Sequence, residues 1–139
     1  MQILVDTSVW SLALRKQSVT AEFQPYIQAL TTLISNARAV IFGSIRQELL
    51  SGIKSQIQFI KLRSYLQAFP DLELETSDFE YAAELFNYCR NHGIQGSHVD
   101  FLITAVSINR EIPVFTLDKD FKSYAKHTAL KLYQLDVSE

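Results

Sequence analysis

Ile3, Leu4 and Val5 are apolar at consecutive positions and the run stops at Asp6. This is the pattern of a short strand buried on both faces, not of an alternating surface strand. Residues 9–14 then take helical spacing. Residues 20–36 form a second helical stretch, with Pro25 tolerated in its first turn. Val40, Ile41 and Phe42 make another short apolar strand. Ser44 with Gln47 three residues later is a capping-box signature, opening a helix through Leu50 that stops near Gly52. Residues 56–69 repeat the helical pattern until Pro70 ends it, and residues 72–75 alternate as a brief strand. Ser77 with Glu80 is a second capping signature, ahead of a helix that runs to His92 and stops at Gly93. Ser97 caps a strongly apolar helix from His98 to about Arg110. Residues 113–117 are a buried strand ending at Asp118, and residues 129–135 read as a final strand.

Short apolar strands alternating with helices predict an α/β fold with a central, largely parallel sheet flanked by helices. No repeat, low-complexity tract or linker interrupts the pattern, so residues 1–139 are expected to form a single domain. Composition narrows the class. Hydrophobic residues are 47% and charged residues 20%, which suits a packed core and excludes wholesale disorder. Thirteen basic against fifteen acidic side chains leave a net charge of -2, so a broad basic footprint for duplex binding is not expected. One cysteine, Cys89, excludes a disulfide framework or a cysteine-rich zinc module within the chain. The apolar start fails as a signal peptide, because Asp6 interrupts it and basic residues only follow it. No stretch reaches the length of about 18 to 20 apolar residues that a membrane span needs. A cytoplasmic protein with no membrane association is the expectation.

In open parallel sheets, function gathers beyond the carboxyl ends of the strands. Asp6 and Asp118 each follow an apolar strand-like run, and Asp100 lies in the first turn of its helix, so all three are expected at that edge. Asp100, Thr104 and Ser107 share one polar stripe on a helix otherwise apolar nearly all round, the pattern of a core helix. A helix-dipole role worth about 0.3–1 kcal/mol accounts for an acid at Asp100. It leaves the deeper Thr104 and Ser107 without a reason. Glu48 falls at the margin of the face made by Ile45, Leu49 and Ile53, with Gly52 one turn further along. Asp120 is placed to cap the helix that begins near Phe121. Thr7, Ser8 and Thr116 set hydroxyls beside the acids, able to orient carboxylates or to make ordinary turns.

If Asp6, Glu48, Asp100 and Asp118 converge, charge repulsion is the first consequence. Two like charges roughly 4 Å apart repel by about 4 kcal/mol at an effective dielectric near 20. A cluster of them requires protonation or a cation. Oxygen ligands without cysteine select a hard ion, Mg²⁺ or Mn²⁺. Such an ion inverts the local potential and suits phosphodiester hydrolysis by an activated water. His92, His98 and His127 have no ligand spacing. Arg15, Lys16, Arg46, Lys54, Lys119 and Lys122 are candidate grips for a phosphate backbone.

The ordered segments ILVDTSVW, RQELLSG, GSHVDFLITAVS and VFTLDKDF together resemble the four motifs of PIN-domain nucleases, most closely VapC-type toxins of toxin–antitoxin pairs. The resemblance spans essentially the whole chain. It implies a Mg²⁺- or Mn²⁺-dependent endoribonuclease that cuts transfer or ribosomal RNA. By motif it assigns catalysis and metal binding to Asp6, Glu48, Asp100 and Asp118. Asp120 is a supplementary acid, since the last motif varies in which carboxylate approaches the metal. Ser8 and Thr116 match polar positions beside those acids. The resemblance further implies a homodimer and a small cognate antitoxin across a groove near the early helices, for which Trp10, Leu14, Phe59 and Leu62 are candidate lining residues. Two rivals stand beside this reading: a PIN nuclease acting in RNA processing or on DNA, and a phosphate-signalling receiver module. The hydroxyl residues after Asp6 argue against a receiver, which carries paired acids there.

Overall fold

The computed structural model describes residues 1–14 and 20–135. A parallel three-stranded sheet forms its centre, in the order β2-β1-β3, from β1 (Ile3–Val5), β2 (Ala39–Val40) and β3 (Val114–Phe115). Ile3 and Leu4 register with Ala39 and Val40, while Leu4 and Val5 register with Val114 and Phe115. Every side chain of β1 is fully buried. A central strand with no wet face has no use for alternation, which is why the run is continuously apolar.

Parallel neighbours need long crossovers, and helices supply them. Between β1 and β2 run α1 (Thr7–Ala13) and α2 (Gln24–Ser35). Between β2 and β3 run α3 (Gly43–Leu50), α4 (Gln56–Leu66), α5 (Thr76–Asn91) and α6 (His98–Arg110), and α7 (Asp120–His127) follows β3. The α/β architecture with a parallel sheet flanked by helices is the one expected. Helix α6 is buried continuously from Phe101 to Ser107 and packs along α5. Burying Phe101, Leu102, Ile103 and Val106 stabilises the fold by about 1.5–3 kcal/mol each. None of the helices among the described residues is long and apolar enough to cross a membrane.

Several boundaries depart from expectation. Helix α1 begins at Thr7 because Asp6 itself takes the N-cap position. The Ser44–Gln47 box does not form: α3 starts two residues earlier, at Gly43, with Phe42 at the cap. The Ser77–Glu80 box is likewise displaced, since α5 starts at Thr76 and Asp78 accepts the Glu75 N–H at 2.9 Å. Asp78 also receives Asn109 at 3.0 Å and Arg110 at 2.8 Å, a set of donors that exposed Glu80 lacks. The expected strand at 72–75 does not form among the described residues, the bridge there pairing the preceding Asp71 with Ile41, and the one at 129–135 shrinks to a single parallel bridge, Val114 with Leu132. Arg46 is a structural clamp instead of a phosphate grip. Its guanidinium donates to the Leu66 and Phe69 carbonyls at 2.9 and 2.8 Å and to Asp71 at 2.8 Å. Trp10 belongs to the core, its Nε1–H donating to the Val5 carbonyl at 3.1 Å, and so lines no groove. Arg15 and Lys16 lie outside the described residues.

Candidate functional site

Strand β1 delivers Asp6 to the carboxyl edge of the sheet, only 5% exposed. Its Oδ2 atom accepts three bonds: from Ser8 Oγ at 2.7 Å, from Thr116 Oγ1 at 2.8 Å and from the Ser8 N–H at 3.4 Å. The two hydroxyls are themselves fixed from β3's exit. Ser8 Oγ accepts the Leu117 N–H at 2.9 Å, and Thr116 Oγ1 accepts the Asp118 N–H at 3.0 Å. Each hydroxyl therefore accepts from one backbone amide and directs its proton at the same carboxylate oxygen.

The other acids are held by single donors or pairs. Asp118 Oδ1 accepts the Asp120 N–H at 2.9 Å, so Asp118 organises the start of α7 and Asp120 is its first residue, not its cap. Asp100 Oδ2 accepts the Tyr124 hydroxyl at 2.9 Å and the Ser97 N–H at 3.4 Å, while Ser97 Oγ caps α6 by accepting the Asp100 N–H at 3.0 Å. Burial pushes the Asp100 carboxyl above the ordinary range. The bonds from Tyr124 and Ser97 oppose this, and the negative charge of nearby Asp118 adds to it. On α3, Glu48 Oε1 accepts Thr7 Oγ1 at 2.7 Å, which tethers it beside Asp6 through the neighbouring residue.

The four acids share one arrangement. One oxygen of each carboxylate is taken by donors of the chain, and the second takes none among the described residues. No buried polar side-chain atom among them lacks a partner, so those second oxygens reach solvent. Hydrogen bonds join Asp6 to Thr116 and Thr116 to the Asp118 backbone, Glu48 is tied to Thr7, the residue next to Asp6, and electrostatics link Asp118 to Asp100. As they stand, no three acidic, histidine or cysteine side chains among the described residues form a ready metal cage.

A profile of the PIN domain matches residues 3–127. The chain belongs to the PIN domain family. The fold is similar to that of the FitAcB structure from Neisseria gonorrhoeae, with a TM-score of 0.75 at 20% identity over 99% of this chain and 100% of that one. VapBC2 from Rickettsia felis, bound to a DNA fragment from its promoter, gives 0.71 at 19% over 98% and 100%. VapBC-5 from Mycobacterium tuberculosis, of the VapBC family of toxin–antitoxin systems, gives 0.67 at 18% over 96% and 98%. No curated protein matches the sequence significantly.

Within this PIN domain, Asp6, Asp100 and Asp118 lie along one edge with Ser8 and Thr116 between them, and Glu48 joins through Thr7. Thr104 and Ser107 do not extend the polar site. Thr104 Oγ1 donates to the Asp100 carbonyl at 2.9 Å and Ser107 Oγ to the Ile112 carbonyl, so both are satisfied by backbone. His98 is exposed and stacks on Phe86, with ring centroids 5.0 Å apart and planes 13° from parallel. Lys54, Lys119 and Lys122 are exposed. Tyr124 was not legible as a site residue. Its only sequence signal is a position one turn into α7, where an aromatic reads as core, and its ring is indeed fully buried.

Proposed function

We propose that this PIN domain is a divalent-metal-dependent endoribonuclease and the toxin of a toxin–antitoxin pair. The observation that carries the reading is the shared arrangement of the acids, with one oxygen pinned and one open. Donors on one oxygen fix the plane of a carboxylate, while the open oxygen remains available to a ligand. PIN domains are a nuclease family, hydrolases acting on nucleic acids, and a set of exposed carboxylate oxygens by itself repels phosphate. A cation resolves that conflict.

The donor set fits Mg²⁺ or Mn²⁺. It offers only oxygen, and Mg²⁺ ordinarily takes one or two carboxylates directly and keeps several waters, so a closed cage is not required. Of Asp6, Asp100 and Asp118, one or two would hold the ion directly and the rest through its waters, with Glu48 and Asp120 at its margin. When bound, the ion supplies an activated water and charge stabilisation at the phosphoryl group. The chain's own residues do the remaining work. Ser8 and Thr116 lock Asp6 in one orientation, Thr7 restrains the longer Glu48, and Lys119 and Lys122 stand near the Asp118 turn as counter-charges for RNA. RNA of the transfer or ribosomal class is the proposed substrate, an antitoxin the proposed partner and a homodimer the proposed assembly. The structural likeness to VapBC complexes supports the toxin assignment.

Purified protein is expected to cleave RNA with Mg²⁺ or Mn²⁺ and not with chelator, and Asp6→Asn or Asp100→Asn is expected to abolish cleavage with melting retained. Wild type that cleaves no RNA under these conditions overturns the reading. Growth arrest on expression, relieved by the product of the adjoining gene, tests the toxin role.

A further inference from the structure

We propose that Tyr124 is a positioning residue: its buried hydroxyl fixes Oδ2 of Asp100 and so selects the other oxygen, Oδ1, to face a divalent cation. This rests on the metal-dependent reading above and adds to it a residue from α7, an element that contributes no acid to the central set.

The geometry is specific. Tyr124 is completely buried, and its hydroxyl lies 2.9 Å from Asp100 Oδ2 against 3.3 Å from the Gln95 carbonyl, so the carboxylate receives the better bond. The ring is held in place, with Phe101 and Phe121 at centroid distances of 4.9 and 5.1 Å. Gly96 leaves room for the hydroxyl. A β-carbon at that position would fall inside contact distance of the Tyr124 oxygen and 2.9 Å from Phe101 Cε2. The phenol carries its proton at neutral pH and donates it to the carboxylate, which can only accept. A ring fixed this firmly prevents the Asp100 carboxylate from rotating without breaking its best bond. A hydroxyl wanted only for fold satisfaction would be served by the Gln95 carbonyl. The carboxylate is the closer partner, at 2.9 against 3.3 Å.

The experiment titrates Mn²⁺ alone into wild type, Tyr124→Phe, Gly96→Ala, Asp100→Asn and the Tyr124→Phe/Asp100→Asn double variant, reading free Mn²⁺ by electron paramagnetic resonance, with melting and RNA-cleavage kinetics in parallel. Tyr124→Phe keeps the ring and is expected to weaken Mn²⁺ binding roughly 10-fold, the lower end for losing a partner behind a metal ligand. Gly96→Ala should weaken it in the same direction, and kcat should fall while KM for RNA holds. In the Asp100→Asn background the Tyr124→Phe change should have no further effect on Mn²⁺. If Tyr124→Phe and Gly96→Ala bind Mn²⁺ like wild type and only melt earlier, the hydroxyl is structural and the proposal fails. If wild type itself binds no Mn²⁺, the metal-dependent reading fails first and this proposal falls with it.

Discussion

Thr116 Oγ1 donates to Asp6 Oδ2 at 2.8 Å across 110 residues of chain. The same oxygen accepts the Asp118 N–H at 3.0 Å, so one hydroxyl serves the acid at the exit of β1 and the backbone of the acid beyond β3. Thr116→Val keeps the shape and removes both roles. The Asp118 amide then loses its acceptor, which destabilises the fold by about 1–3 kcal/mol. Cleavage is expected to fall roughly 10- to 100-fold, the usual cost of losing an outer partner of a metal ligand. Thr116→Ser should recover most of both, as measured by chemical denaturation and by RNA-cleavage rates.

Thr7 is a gentler case. Its bond to Glu48 is short, 2.7 Å, but Glu48 is exposed and water can replace the donor. Thr7→Val should leave unfolding within about 0.5 kcal/mol of wild type, as surface changes do. The loss in cleavage rate should stay below the roughly 10-fold typical of a buried partner. A larger rate effect with unchanged stability would place more of the chemistry on Glu48 than its exposure suggests.

Asp100 makes metal-free protein less stable as pH rises out of the acid range. Its folded proton affinity is raised by burial and by Asp118. The folded state therefore binds more protons than the unfolded one, and that contribution is present below the ordinary carboxylate range and lost as pH rises through the folded value. In chelator, Asp100→Asn should match wild type in acid and become relatively more stable as pH climbs toward neutrality. Mn²⁺ should reverse the order by stabilising wild type alone, by about 2.7 kcal/mol at 100 times its dissociation constant. Melting temperatures across pH, with and without Mn²⁺, read both effects.

Asp78 behaves in the opposite sense. Burial alone would raise its carboxyl. Bonds from Asn109 and the Glu75 backbone, with the Arg110 charge and bond, together hold it below the ordinary value of 3.8. Its contribution is therefore complete above that value and lost as pH falls through the depressed one. Arg110→Ala leaves a carboxylate 2% exposed without its cation. With Asn109 and the Glu75 amide remaining, the expected loss is about 2–3 kcal/mol, below the full cost of breaking a buried pair. RNA cleavage per folded molecule should not change, because Asp78 lies outside the candidate site.

What the sequence disclosed and what it hid divide along physical lines. Strands such as Ile3 to Val5 are legible because burial on both faces leaves a continuous apolar run, and Asp6 and Asp118 are legible because a charge ending such a run has one edge to emerge at. The Ser97 cap is legible because its bond partner, the Asp100 amide, is three residues away. The Ser44 and Ser77 caps misread because the same local signature competes with tertiary choices: Asp78 is drawn to Arg110 across 32 residues, and no local pattern encodes that. Tyr124 and Thr104 fail in complementary ways. A buried tyrosine looks like core until its hydroxyl finds a carboxylate, and a polar stripe looks functional until its hydroxyls turn to backbone carbonyls.

The hydroxyl clamp on Asp6 has a consequence for a chain still being synthesised. The acid leaves the ribosome 110 residues ahead of Thr116, several seconds or more at roughly 5–20 residues per second. Until β3 docks beside β1, a nascent or prematurely terminated chain carries the carboxylate without the partner that orients it. The oriented form of Asp6 thus arrives only once β3 has been made and docked, a delay built into the order of the chain.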